Sequence, residues 1–130
     1  MKIGHIPLLV KDFDEAADFY VEKLGFQKSR DDKFEGDMRW VTVSLKDQSD
    51  LALTFVVADT EEKLKALGKQ AGNHVFMTLL TNDCKRDYET MKAKGVKFYS
   101  EPTKQMWGIE VVLEDLYGNL YDLVQRDSNQ

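Results

Sequence analysis

Cysteine is almost missing. Cys84 alone cannot close an internal disulfide, so a disulfide-stapled scaffold is excluded and a reducing, cytoplasmic setting is expected. Histidine is nearly as scarce, with His5 and His74 the whole supply. Long apolar runs are absent: a stretch such as Val41 to Leu45 is interrupted by Thr42 and Ser44, far short of the ~20 residues that span a bilayer. Met1-Lys2-Ile3 opens directly into a strand-like run with no visible export signal. Cations are in deficit, 18 Lys and Arg against 23 Asp and Glu for a net charge of −5, which leaves no excess to neutralise phosphates. Neither a membrane nor nucleic acid is therefore an expected partner. A Gly-rich phosphate loop and a Ser-His-Asp set are lacking too.

What remains suits one compact domain: 130 residues, 42% hydrophobic, 11% aromatic and 32% charged, enough to bury a core under a well-solvated surface. Lys2 to Val10 reads as a strand. Asp12 caps the helix that follows, with Glu15 three residues on, and Phe13, Ala16, Ala17, Tyr20 and Leu24 recur at helical spacing before Gly25. Phe26 to Ser29, Arg39 to Leu45 and Leu51 to Val57 read as strands, separated by a charged loop, Arg30 to Asp37, and a turn, Lys46 to Asp50. Ala58 to Gly72 is polar and holds the helix-prone run Glu61 to Leu67 before Gly68. The order then repeats: a strand His74 to Leu80, a helix capped by Asn82 or Asp83 and ended by Gly95, a short strand Val96 to Tyr99, then Trp107 to Leu113 and Leu120 to Gln125. The expected fold class is α+β, with two β-α-β-β-β modules, residues 1–57 and 73–126, joined by a linker, 58–72, into one domain spanning 1–130. In each module one sheet face is oily enough to pack on the helix, and the other is free to line a cup.

Both histidines lie near the start of a module's first strand, and matching His5 with His74 matches Ala52 with Asp122 to within one residue. Two imidazoles and a carboxylate on one concave face would bind a first-row divalent metal with positions left open. The plainer alternative is a pair of half-buried histidines and a strand-end carboxylate.

The chain also resembles the vicinal oxygen chelate superfamily, which groups glyoxalase I, bleomycin- and fosfomycin-resistance proteins and extradiol dioxygenases. The resemblance rests on His5-Ile6-Pro7-Leu8 leading to Phe19-Tyr20 and Lys23-Leu24-Gly25-Phe26, then on Lys94-Gly95-Val96, Glu101-Pro102 and Glu114 to Asn119 before Tyr121-Asp122-Leu123. It implies paired modules closed into a cup-shaped mixed sheet or barrel with helices outside. It also implies a metal (Zn, Ni, Fe, Mn or Co) held by His5, His74 and Asp122, and an oxygen-chelating substrate. Ala52 stands where glyoxalase I has a ligating glutamate, and Asp122 where extradiol dioxygenases usually have Glu. Two functions follow from the resemblance: a metal-dependent lyase or dioxygenase, or a metal-free protein of the bleomycin-resistance kind that sequesters a planar or amphiphilic compound.

Trp40, Thr54, Trp107 and Glu110 are candidate ligand contacts, because strand alternation puts the first two on the less oily face of their strands and Glu110 opposite in facing from Ile109 and Val111. Packing is the competing role for the two tryptophans, and a solvated carboxylate for Glu110. Cys84, spaced with Tyr88 and Met91, is expected to be a buried apolar residue. A homodimer is expected, because each module offers an edge strand and an unfilled face.

Overall fold

A computed structural model describes residues 1–127. The chain divides into two compact units, Met1–Gly68 and the remainder from Lys69 onward. The first unit runs β1 (His5–Val10), α1 (Phe13–Asp18) with a π-helical continuation (Phe19–Lys23), β2 (Gln27–Lys33), β3 (Arg39–Leu45), β4 (Gln48–Val57) and α2 (Glu61–Ala66). The second runs β5 (Met77–Leu80), α3 (Cys84–Ala93), β6 (Lys97–Phe98), β7 (Thr103–Gln105), β8 (Gly108–Glu114) and β9 (Leu120–Arg126).

Each unit has its own sheet, and the two share a plan. The order is β1-β4-β3-β2 in one and β5-β9-β8-β6 in the other, with β7 also pairing β8. In both, the first strand lies parallel to the last, and the remaining pairs are antiparallel. The expected α+β class with repeated β-α-β-β-β order is present, with one hydrogen-bonded sheet in each unit.

The helices form where the caps stood in the sequence. The Asp12 carboxylate accepts from the Glu15 amide at 2.8 Å, and of the two candidates for α3 it is Asp83 that accepts from the Arg86 amide, at 3.0 Å; each satisfies one of the orphan amides of a first turn. Gly25 (φ 80°) and Gly95 (φ 92°) end the helical segments in the left-handed conformation that other residues adopt at a cost. The inner face of α1 buries Ala16 and Ala17, and the continuation buries Tyr20, together with Leu8, Val10, Val41, Val43, Leu53 and Phe55. In the second unit Cys84, Tyr88 and Met91 line one side of α3, buried with Val111, Leu113, Tyr121 and Leu123. Each such large side chain contributes about 1.5–3 kcal/mol by leaving water.

Several expectations shift. β2 continues through Arg30 to Lys33, where a charged loop was expected; as an edge strand it can place those charges in water and pair them, Lys28 with Asp31 at 3.1 Å and Asp31 with Arg39 at 2.8 Å. β4 begins at Gln48, so the turn before it shrinks to Lys46 and Asp47. β6 shortens to two residues, and β7 arises in Thr103-Lys104-Gln105, a polar segment with no alternation to announce it. The strand expected from His74 begins only at Met77.

Candidate functional site

In the first unit the register sets the face that turns away from α1. His5 pairs with Ala52 and Pro7 with Thr54 along β1–β4, while Ser44 pairs with Ala52 and Thr42 with Thr54 along β3–β4. These side chains, with Trp40, therefore share one face. His5 and Trp40 flank β4 on opposite sides, yet their rings meet edge-on with centroids 5.9 Å apart, so the two must reach toward each other over β4. The Arg30 guanidinium lies 4.1 Å from the Trp40 ring centre, a cation–π contact that fixes the indole. Below it the Ser29 and Thr42 hydroxyls bond at 2.7 Å.

Two hydroxyls on this face have no partner. Ser44 is 1% exposed and its Oγ bonds to nothing, and the same holds for the buried Oγ1 of Thr54. Ser44 sits opposite Ala52, and Thr54 two residues further along, so the two are diagonal neighbours across β3 and β4. Thr54 was readable as a candidate from strand alternation. Ser44 was not singled out, because a hydroxyl between Val43 and Leu45 reads only as the less oily side of a strand.

In the second unit Glu110 pairs with Val124, and Val112 with Asp122, which makes Glu110 and Asp122 diagonal neighbours on the face away from α3. The Trp107 indole N–H donates to Glu110 Oε2 at 3.3 Å, with Trp107 44% exposed. Asp122 Oδ1 is covered and unpartnered. Burial, and then the hydrogen bond and like charge of Glu110, push the Asp122 carboxyl up to about 6. Trp107, Glu110 and Asp122 thus form one cluster. Cys84 is buried, donates to the Leu123 carbonyl at 3.6 Å, and has its thiol pushed up to about 11, first by desolvation and then by nearby carboxylates; it has the character of a packed side chain.

His74 does not join that cluster. It is exposed in the bend ahead of β5, and its Nδ1 donates to the Val75 carbonyl at 2.9 Å, since a carbonyl can only accept. The residue opposite Asp122 is Thr78, four positions beyond His74. The equivalence that matched His5 with His74 and Ala52 with Asp122 therefore does not carry into the register: Ala52 is directly opposite His5, whereas Asp122 is opposite a threonine. Among the described residues, no group of three or more His, Cys, Asp or Glu is arranged to hold a metal ion. Within the units, then, Asp122 has Thr78 rather than His74 beside it, and Ala52 brings no donor atom to His5.

Comparisons with known proteins agree on the kinship of this fold. The family model described as Glyoxalase/Bleomycin resistance protein/Dioxygenase superfamily matches residues 2–123. An uncharacterised protein of Shewanella frigidimarina is 45% identical over 129 residues, covering 98% of this chain and 96% of that protein. Among solved structures, UcmS2 superposes with a TM-score of 0.83 at 30% identity, covering 95% of this chain and 97% of that one. TnmS3, described as an antibiotic binding protein from Streptomyces sp. CB03234, superposes at 0.79 with 26% identity, covering 98% and 97%.

Proposed function

Because the chain belongs to the Glyoxalase/Bleomycin resistance protein/Dioxygenase superfamily, we propose that it is a small-molecule binding protein, holding a planar aromatic or amphiphilic compound against a sheet face with no need of a metal ion. The observation that carries this reading is the register of the donors: Ala52, with no ligating atom, stands opposite His5, and Thr78 rather than a histidine stands opposite Asp122. The family's metal chemistry needs three or more converging donors. What the faces do offer is recognition: the fixed indole of Trp40, the half-exposed Trp107 held by Glu110, and polar atoms without partners at Ser44, Thr54 and Asp122. Resemblance to TnmS3, described as antibiotic binding, supports a small-molecule binding role.

Two measurements together test the reading. Elemental analysis of protein purified without chelators is expected to find well under one equivalent of Zn, Ni, Fe, Mn or Co, and calorimetric titration with a panel of planar aromatic compounds is expected to give saturable binding. One equivalent of metal that disappears in His74→Ala would instead restore the metal-dependent enzyme built on His5, His74 and Asp122. The same protein is proposed to be a homodimer, on the strength of its large exposed apolar side chains, Phe34, Met38, Leu80 and Tyr99.

A further inference from the structure

A buried hydroxyl without a partner is a cost that a fold normally avoids. Nine-tenths or more of buried polar groups are bonded, and each exception calls for a specific cause. The first unit carries two such exceptions side by side. Ser44 Oγ and Thr54 Oγ1 are both unpartnered, on the same sheet face and at diagonal positions of β3 and β4. The neighbouring Thr42, equally buried at 4% exposure, shows what the fold does when it completes such a bond internally: its hydroxyl is matched to Ser29 at 2.7 Å. Ala52, opposite Ser44, carries only a methyl group and so offers the two hydroxyls no polar side-chain atom, and His5 and Trp40 meet from the two flanking strands. Replacing these hydroxyls with apolar groups of the same shape would cost the free protein nothing and could stabilise it.

We propose that Ser44 and Thr54 form a hydroxyl subsite that exchanges hydrogen bonds with a phenolic oxygen of an aromatic ligand whose ring lies toward Trp40. The inference rests on the reading of this protein as a binder of planar aromatic compounds. A phenol suits the pair because its O–H both donates and accepts, as do Ser and Thr, so one ligand oxygen can satisfy both residues. A free carboxylate suits it less, since the pair offers no cation and a buried negative charge needs one.

The test compares 1-naphthol with naphthalene, two probes that differ by one hydroxyl, by calorimetric titration of the full chain. The expected result is that 1-naphthol binds about tenfold more tightly, the scale of one or two net hydrogen bonds. That preference is expected to collapse to near parity in Ser44→Ala/Thr54→Val and to persist in Thr54→Ser, which keeps the hydroxyl. Thermal melting of the double variant, expected at or above that of the unaltered protein, shows that any loss of binding is not a loss of folding. Equal binding of the two probes to the unaltered protein, or a preference that survives the double variant, overturns the subsite and leaves aromatic binding standing. Failure of both probes to bind overturns the aromatic-binding reading and the subsite with it.

Discussion

Replacing Gly108 with alanine should damage both the fold and the second unit's candidate site. Gly108 opens β8, directly after Trp107 and two residues before Glu110, with φ at 146°. An added Cβ would lie 2.0 Å from the Gln125 carbonyl oxygen and 3.0 Å from two further main-chain atoms of Gln125 and Arg126. All three belong to the backbone of β9, so no side chain can swing aside. The strands must part by about 1 Å at this end, at the expense of the Gly108–Arg126 pairing and of the Asp127 amide bond to the Trp107 carbonyl, 3.1 Å. Backbone strain of about 1–3 kcal/mol and one or two weakened hydrogen bonds at about 1 kcal/mol each outweigh the ~0.4–1 kcal/mol that alanine contributes by stiffening the unfolded chain. The net expectation is about 3 kcal/mol of destabilisation, a large part of the ~5–15 kcal/mol that holds a typical domain. Urea unfolding followed by tryptophan emission should show the midpoint falling by about 1.5 M at unchanged slope, for a slope of about 2 kcal/mol/M. Gly4→Ala, where nothing lies within 4 Å of the added carbon, should stay within about 0.5 kcal/mol. A Gly108→Ala protein as stable as the Gly4→Ala control would refute the reasoning.

Three further outcomes follow from the same geometry. Asp122, raised from 3.8 to about 6 by burial and Glu110, keeps in the folded state a proton that the unfolded chain releases; its stabilisation is complete below the unfolded value and is lost as pH rises through about 6. Asp122→Asn should remove that slope, gaining about 1 kcal/mol relative to the unaltered protein near pH 7 but not near pH 4, after allowance for the carboxyl's partial exposure; identical urea midpoints for the two proteins at both pH values would contradict it. Asp115, 5% exposed, accepts from the amides of Tyr117 and Asn119 at 2.9 Å each and from Asn119 Nδ2 at 2.8 Å, so Asp115→Ala should cost about 2–4 kcal/mol in chemical denaturation by freeing the β8–β9 turn. Light scattering at micromolar concentration should report twice the chain mass, and a particle of single-chain mass would remove the proposed dimer.

The parts of this fold that the sequence announced are those governed by local chemistry. Asp12 and Asp83 cap helices because short acidic side chains reach the first-turn amides, and Cys84, Tyr88 and Met91 share a buried side because they repeat at the helical period. Arg39 to Leu45 is a strand with the bounds its alternation implied. The failures are matters of tertiary context. The charges of Arg30 to Lys33 resemble a loop until an edge strand leaves them in water and within reach of ion-pair partners, Arg30 with Asp32 and Asp31 with Arg39. The match of His74 with His5 depended on equal loop lengths ahead of the two first strands, but His74 and the two residues after it stay outside β5, and the pairing of β5 with β9 selects Thr78 as the neighbour of Asp122. A one-residue slip in register turns a side chain to the opposite face, and spacing along the chain does not determine register to that accuracy. Strand parity sufficed to put Trp40, Thr54 and Glu110 on their sheet faces, whereas the contacts of Trp40 with His5 and Arg30, and of Trp107 with Glu110, are detail that parity does not supply.

The central claim is that this chain binds a planar aromatic compound without a metal ion. Saturation-transfer difference NMR on protein dialysed against EDTA, with a mixed panel of planar aromatic compounds, tests it most directly. The account predicts transfer to the ring protons of at least one panel member, unaffected by EDTA and reduced in Trp40→Ala. Transfer that is absent after EDTA and returns only when Zn, Ni, Fe, Mn or Co is restored would contradict it.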